Sequence, residues 1–186
     1  MQTEIIIAGF GGQGVLFAGQ VLAYAAMDSG KHVTWFPSYG PEMRGGTANC
    51  TVIVADEDIG SPTVRNPKAV VCLNLPSLDK YEPLVEKGGV LALNTSLINR
   101  SVKRTDVHVV EAPANELAEE LGDKRLVNAV MLGALLEATG VLPIATIQKA
   151  LKDHLPAKHQ DLLPANFAAL EKGAEAARRT LAAQPA

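Results

Sequence analysis

A short β-branched run that breaks into a glycine-rich turn constrains this chain more than any other stretch. Glu4 to Ala8 reads as a buried strand, and Gly9-Phe10-Gly11-Gly12-Gln13-Gly14 follows at once. From Val15 to Asp28 the apolar residues Val15, Leu16, Val21, Leu22, Ala25 and Ala26 recur at helical spacing, and Ser29-Gly30 stops the helix. G-x-G-x-x-G between a strand and a helix has a mechanism. Gly9 permits a tight turn, Gly11 lets the backbone approach an anion, and Gly14 allows close helix–strand packing. The first-turn amides are then free for a phosphate or another anion. The same glycines could also serve only to turn the chain.

The rest of the chain continues the alternation. Strands are expected at His32–Phe36, Cys50–Ala55, Ala69–Leu73, Gly89–Leu93 and Val107–Val110, with a short helix over Pro76–Val85. Buried-type strands alternating with helices imply a Rossmann-like α/β fold: an open, mostly parallel sheet with helices on both faces. From Pro113 onward the pattern is helical: Pro113–Leu121, Lys124–Thr139, Pro143–Leu155 and Pro164 to about Leu181. Val127 to Leu136 is apolar on nearly every face, which suits a core or an interface and suggests self-association of the isolated chain. No linker or repeat divides residues 1–186, so one domain is expected, fraying from about residue 182.

Composition narrows the function. A net charge of -3 gives no support for a nucleic-acid partner. No stretch approaches the ~20 apolar residues of a membrane span, and the first residues carry no basic leader, so a soluble, cytoplasmic protein is expected. Cys50 and Cys72, the only cysteines, lie in apolar runs with no CxxC spacing and read as buried free thiols of a reducing compartment. His32, His108, His154 and His159 show no metal-ligand spacing, and no metal site is expected. A NAD site would place a carboxylate at the end of the second strand. That strand instead runs Trp35-Phe36-Pro37-Ser38-Tyr39, which argues against a stand-alone dehydrogenase.

After the second strand comes Ser38-Tyr39-Gly40-Pro41-Glu42-Met43-Arg44-Gly45-Gly46-Thr47. Loops at the carboxyl ends of strands build the ligand crevice of such a sheet, so this loop and the glycine loop should share one mouth. Arg44 would offer a planar cationic fork for a phosphate or carboxylate, and Gly45-Gly46 close backbone approach.

Taken together, Gly9-Phe10-Gly11-Gly12-Gln13-Gly14-Val15 and Ser38-Tyr39-Gly40-Pro41-Glu42-Met43-Arg44-Gly45-Gly46-Thr47-Ala48 resemble the gamma subunit of 2-oxoacid:ferredoxin (acceptor) oxidoreductases. The likeness is greatest to the 2-oxoglutarate and branched-chain 2-oxoacid types, and extends through the helix bearing Asn128 and Gly133. It implies a complex that converts a 2-oxoacid, with 2-oxoglutarate the favoured one, and coenzyme A to acyl-CoA, carbon dioxide and reduced ferredoxin. It implies partners of alpha and beta type, and a ferredoxin-like delta subunit in some complexes. Thiamine diphosphate, magnesium and iron–sulfur clusters would reside on those partners, with ferredoxin as acceptor. This chain would be accessory, helping to bind coenzyme A and close the site, with no catalytic residue of its own. The binding residues so implied are Gly9, Gly11, Gly12, Gln13, Gly14, Ser38, Tyr39, Arg44, Gly45, Gly46 and Thr47.

What the chain lacks agrees with that role. Two isolated cysteines cannot supply the four thiolates of an iron–sulfur cluster. Gly122-Asp123-Lys124 reads as a helix-end turn, not as a thiamine-binding motif. A stand-alone nucleotide-binding oxidoreductase and a scaffold module with empty loops are the competing readings.

Overall fold

The computed structural model describes residues 1–39 and 46–183. The strands are β1 (Gln2–Phe10), β2 (His32–Tyr39), β3 (Thr47–Ala55), β4 (Ala69–Cys72), β5 (Val90–Asn94) and β6 (His108–Ala112). The helices are α1 (Val15–Asp28), α2 (Leu75–Tyr81), α3 (Ala114–Glu120), α4 (Val127–Thr139), α5 (Ile144–His154) and α6 (Leu163–Ala182). The described strands form one sheet of order β2-β3-β1-β4-β5-β6. β1, β4, β5 and β6 are parallel, and β3 is antiparallel to both β1 and β2.

The mostly parallel sheet is therefore present, with one antiparallel insertion. β2 returns into β3 as a hairpin, and β3 rather than β2 becomes the neighbour of β1. The hairpin also lengthens β3: it begins at Thr47, opposite Phe10, and not at Cys50. Cross-strand pairing recruits the polar residues Thr47 and Asn49, which no apolar pattern marks.

Alternation along β1 divides two cores. Ile5 and Ile7 enter the larger, beneath α1 and α4, while Ile6 and Ala8 enter the smaller, beneath α2. Burial on both faces is why these strands read as continuous apolar runs. α1 lies over β1, β2 and β3, and α4 over β4, β5 and β6. Cys50 and Cys72 are unpaired and buried, one in each core. Burial pushes the Cys50 thiol up to about 12 and raises that of Cys72 as well.

The expected helix over Pro76–Val85 is shorter. α2 ends at Tyr81, where Pro83 offers no amide to continue the ladder, and a 3-10 turn completes the segment. Asp123 likewise accepts from the Arg125 amide to cap a separate 3-10 turn at Lys124–Leu126 before α4.

α4 corrects one expectation. Val127 to Leu136 is buried throughout, but by elements of this chain. α6 lies across it so closely that a Cβ on Gly133 would stand 2.0 Å from the Leu170 carbonyl oxygen, and one on Gly173 1.8 Å from that of Val130. The apolar surface expected to drive self-association is already covered. Among the described residues no helix is long and apolar enough to cross a membrane.

Candidate functional site

Two left-handed glycines carry the chain from β1 into α1: Gly12 at φ 95° and Gly14 at φ 75°, the latter being the N-cap. Gly9 does not make the turn. It is paired with Ala48 inside the sheet, and its missing Cβ makes room for Gln13 Oε1, which such an atom would approach to 2.5 Å. Gly14 meets Asn128 of α4, whose Nδ2 a Cβ would approach to 2.3 Å, so its close packing is against a helix rather than a strand.

Several loop amides are already bonded. Phe10 N donates to Gln13 Oε1 at 2.6 Å, Gln13 N to the Phe10 carbonyl at 3.2 Å, and Gly11 N to the Gly46 carbonyl at 2.9 Å. The amides of Gly12, Gly14 and the first turn of α1 have no partner among the described residues. No carboxylate lies in that first turn. Unpaired amides at a helix N-terminus without an adjacent negative charge favour an anion.

The hairpin brings the second loop to the same edge. Thr47 is opposite Phe10, Tyr39 opposite Ala48 and Ser38 opposite Asn49. Gly46 is tied directly to Gly11. Ser38 and Thr47 are exposed. Thus Gly11, Gly12, Gln13, Gly14, Gly46 and Thr47 gather at the carboxyl end of β1, with Ser38 one strand further out. Arg44 and Gly45 lie outside the described residues, as does the side chain of Tyr39.

Two hollows flank the glycine loop. One, of about 510 Å³, is bounded by Phe10, Gly11, Gly12, Leu16, Phe17 and Ala48. The other, of about 630 Å³, runs beside α1 past Gly12, Phe17, Tyr24, Asn128, His154 and His159. Phe17 stands between them, 39% exposed. At the far end of the second hollow, His154 stacks on Tyr24 with ring centres 4.2 Å apart and places Nε2 2.8 Å from Asp28 Oδ2.

Residue-by-residue reading missed three members of this region. Asn74 is 2% exposed, ends the β4 connection and caps α2 through Ser77 N at 2.9 Å. Its signal was an Asn two residues before Pro76 at a strand end. Asn128 and His154 carried no signal of their own, because their partners lie more than a hundred residues away.

Residues 4–176 match the family described as pyruvate ferredoxin/flavodoxin oxidoreductase. The ketoisovalerate oxidoreductase subunit VorA of Methanothermobacter marburgensis is 39% identical over 182 residues, covering 97% of this chain and 37% of that protein. The chain thus spans little more than a third of that relative. The 2-oxoglutarate synthase subunit KorC of Methanocaldococcus jannaschii is 35% identical, covering 96% of this chain and 95% of that protein. Among solved structures, the keto/oxoacid ferredoxin oxidoreductase gamma subunit of Geobacter sulfurreducens superposes with a TM-score of 0.84 at 28% identity, covering 97% of this chain and 98% of that one. The 2-oxoglutarate:ferredoxin oxidoreductase of Magnetococcus marinus, solved with 2-oxoglutarate, coenzyme A and succinyl-CoA, shares the fold (TM-score 0.85, 23% identity, 96% of this chain and 31% of that one). The chain belongs to the pyruvate ferredoxin/flavodoxin oxidoreductase family, as a chain of the gamma-subunit type.

Proposed function

We propose that this chain is the gamma subunit of a multisubunit 2-oxoacid:ferredoxin oxidoreductase, where its glycine loop helps to bind coenzyme A and to close the site. The observation that carries this is the set of amides at Gly12, Gly14 and the start of α1 that have no partner among the described residues, beside a second glycine-bearing loop bonded to the first. A diphosphate is the part of coenzyme A that such amides suit. Arg44, in the connection between β2 and β3, would add a charge-assisted contact. 2-Oxoglutarate is the substrate we favour, on the likeness to KorC, with a branched-chain 2-oxoacid the alternative that the VorA likeness supports.

Decarboxylation, on this reading, takes place on alpha- and beta-type partners holding thiamine diphosphate, magnesium and iron–sulfur clusters, with ferredoxin as acceptor. The chemistry of this chain's thiols supports that division. Cys50 and Cys72 lie in different cores, and burial holds both thiols protonated at neutral pH, so they suit neither cluster ligation nor nucleophilic attack. The chain alone should be catalytically silent.

The test is kinetic. In the complex assembled with its partners, Arg44→Ala should raise the KM for coenzyme A by about one to two decades, the worth of a charge-assisted hydrogen bond. Gly11→Val should be worse, and both should leave decarboxylation of the 2-oxoacid nearly intact. Unchanged coenzyme A dependence with a lost decarboxylation step would assign these loops to assembly instead.

A further inference from the structure

The glycine loop is held from both faces of the sheet by two amide side chains that touch only its acceptors. On the side of the larger core, Asn128 is 8% exposed and donates Nδ2 to the Gly14 carbonyl at 3.3 Å, while its own Oδ1 accepts from Ala129 N at 2.8 Å. On the side of the smaller core, Asn74 caps α2 through Oδ1 and donates Nδ2 to Gln13 Oε1 at 3.4 Å. That same Gln13 oxygen accepts from Phe10 N, and so closes the turn on itself. A Cβ on Gly14 would displace the Asn128 amide, and one on Gly9 the Gln13 oxygen to which Asn74 donates.

A segment with two left-handed glycines has much conformational freedom, and ordering it only on binding would cost affinity. Here the order is supplied beforehand, through the Gly14 carbonyl and the Gln13 side chain. The donors of Gly12 and Gly14 are left unpaired among the described residues. We propose that Asn74 and Asn128 are positioning residues that preorganise the glycine loop for the diphosphate of coenzyme A by clamping it from opposite faces of the sheet through its acceptors alone. The proposal rests on the reading that this loop holds coenzyme A.

Neutral substitutions separate the clamp from charge and from folding. Asn74→Ser keeps an oxygen to cap α2 but is too short to reach Gln13. Asn128→Leu keeps the bulk against Gly14 and removes the donor. Three readouts apply to the complex assembled with its partners: KM for coenzyme A, kcat at saturating coenzyme A, and single-turnover decarboxylation without it. Amide exchange at Phe10, Gly11 and Gln13, whose N–H groups are bonded, is followed in the same samples. Each variant should raise the KM about three- to tenfold, the range for one lost hydrogen bond. Exchange at those three amides should quicken, with kcat and decarboxylation unchanged. Added coenzyme A should return the exchange to its slow rate.

A KM at the level of the parent with unaltered exchange in Asn74→Ser overturns the clamp. So does a parallel fall in kcat, decarboxylation and thermal midpoint, which marks a structural role. If Asn128→Leu fails to assemble, Asn74→Ser decides alone. Gly11→Val distinguishes the two levels. If it too leaves the coenzyme A dependence untouched, the ligand reading has failed. If it abolishes that dependence while the two asparagine variants behave as parent, only the clamp has.

Discussion

The two faces of the sheet are held by different physics. One face is covered by α1 and α4, with α6 seated on α4 at backbone contact through Gly133 and Gly173. The other is covered by the short α2 and the connection between β5 and β6, which is pinned by ions. Glu82, 4% exposed, pairs with Arg100 at 2.8 Å and accepts from the amides of Lys103 and Arg104. Arg104 in turn binds the Val85 carbonyl and Asp106. Close helix packing dominates the first face, while the second adds an ionic network to a smaller apolar core beneath a short helix. The glycine loop sits where they meet, gripped by Asn128 from one side and Asn74 from the other.

Breaking the close crossing should have the largest effect. Gly173→Val would drive a side chain into the Val130 carbonyl, a backbone atom that cannot move aside, and should destabilise the chain by about 3 kcal/mol or more. Denaturant unfolding measures it, and a loss under 1 kcal/mol would mean that the crossing is looser than described.

Glu82→Gln should cost about 2 kcal/mol, because it leaves Arg100 half-buried beside Asp79 alone. Burial pushes the Glu82 carboxyl upward, but Arg100 and the two amides outweigh it and hold the group below its ordinary value. A carboxyl lowered on folding stabilises above its unfolded pKa, and the contribution fades as pH falls through the folded value. The difference between parent and variant should therefore be full at neutral pH and shrink below about pH 4.5. A difference that stays constant down to pH 3 would remove the ionic account of this face.

Gly12→Ala should have the smallest effect, about 1 kcal/mol, from its left-handed φ alone, since nothing lies within 4 Å of the added Cβ. Thermal unfolding that matched Gly173→Val would erase the contrast between a glycine kept for conformation and one kept for contact.

Much of the site was legible because it is local. The strand, the glycine turn and the start of α1 are contiguous, and their physics is that of neighbouring residues. Gly9 shows the limit: the motif assigns it the turn, yet the structure uses it to admit Gln13. Asn49 and Thr47 were not expected in β3, since only the partner strand makes a polar residue a strand residue.

What the sequence by itself determined were the properties set by periodicity and by backbone chemistry: strands buried on both faces, a helix stopped at Ser29-Gly30, and a loop able to bare its amides. Tertiary structure alone decided the insertion of β3 beside β1, the covering of α4 by α6, and the meeting of Asn74 with Gln13 and of Asn128 with Gly14. These depend on residues up to 114 positions apart, such as Asn128 and Gly14. An isolated amide carries no record of its partner, because a hydrogen bond is specified by where two groups arrive and not by where either sits in the chain.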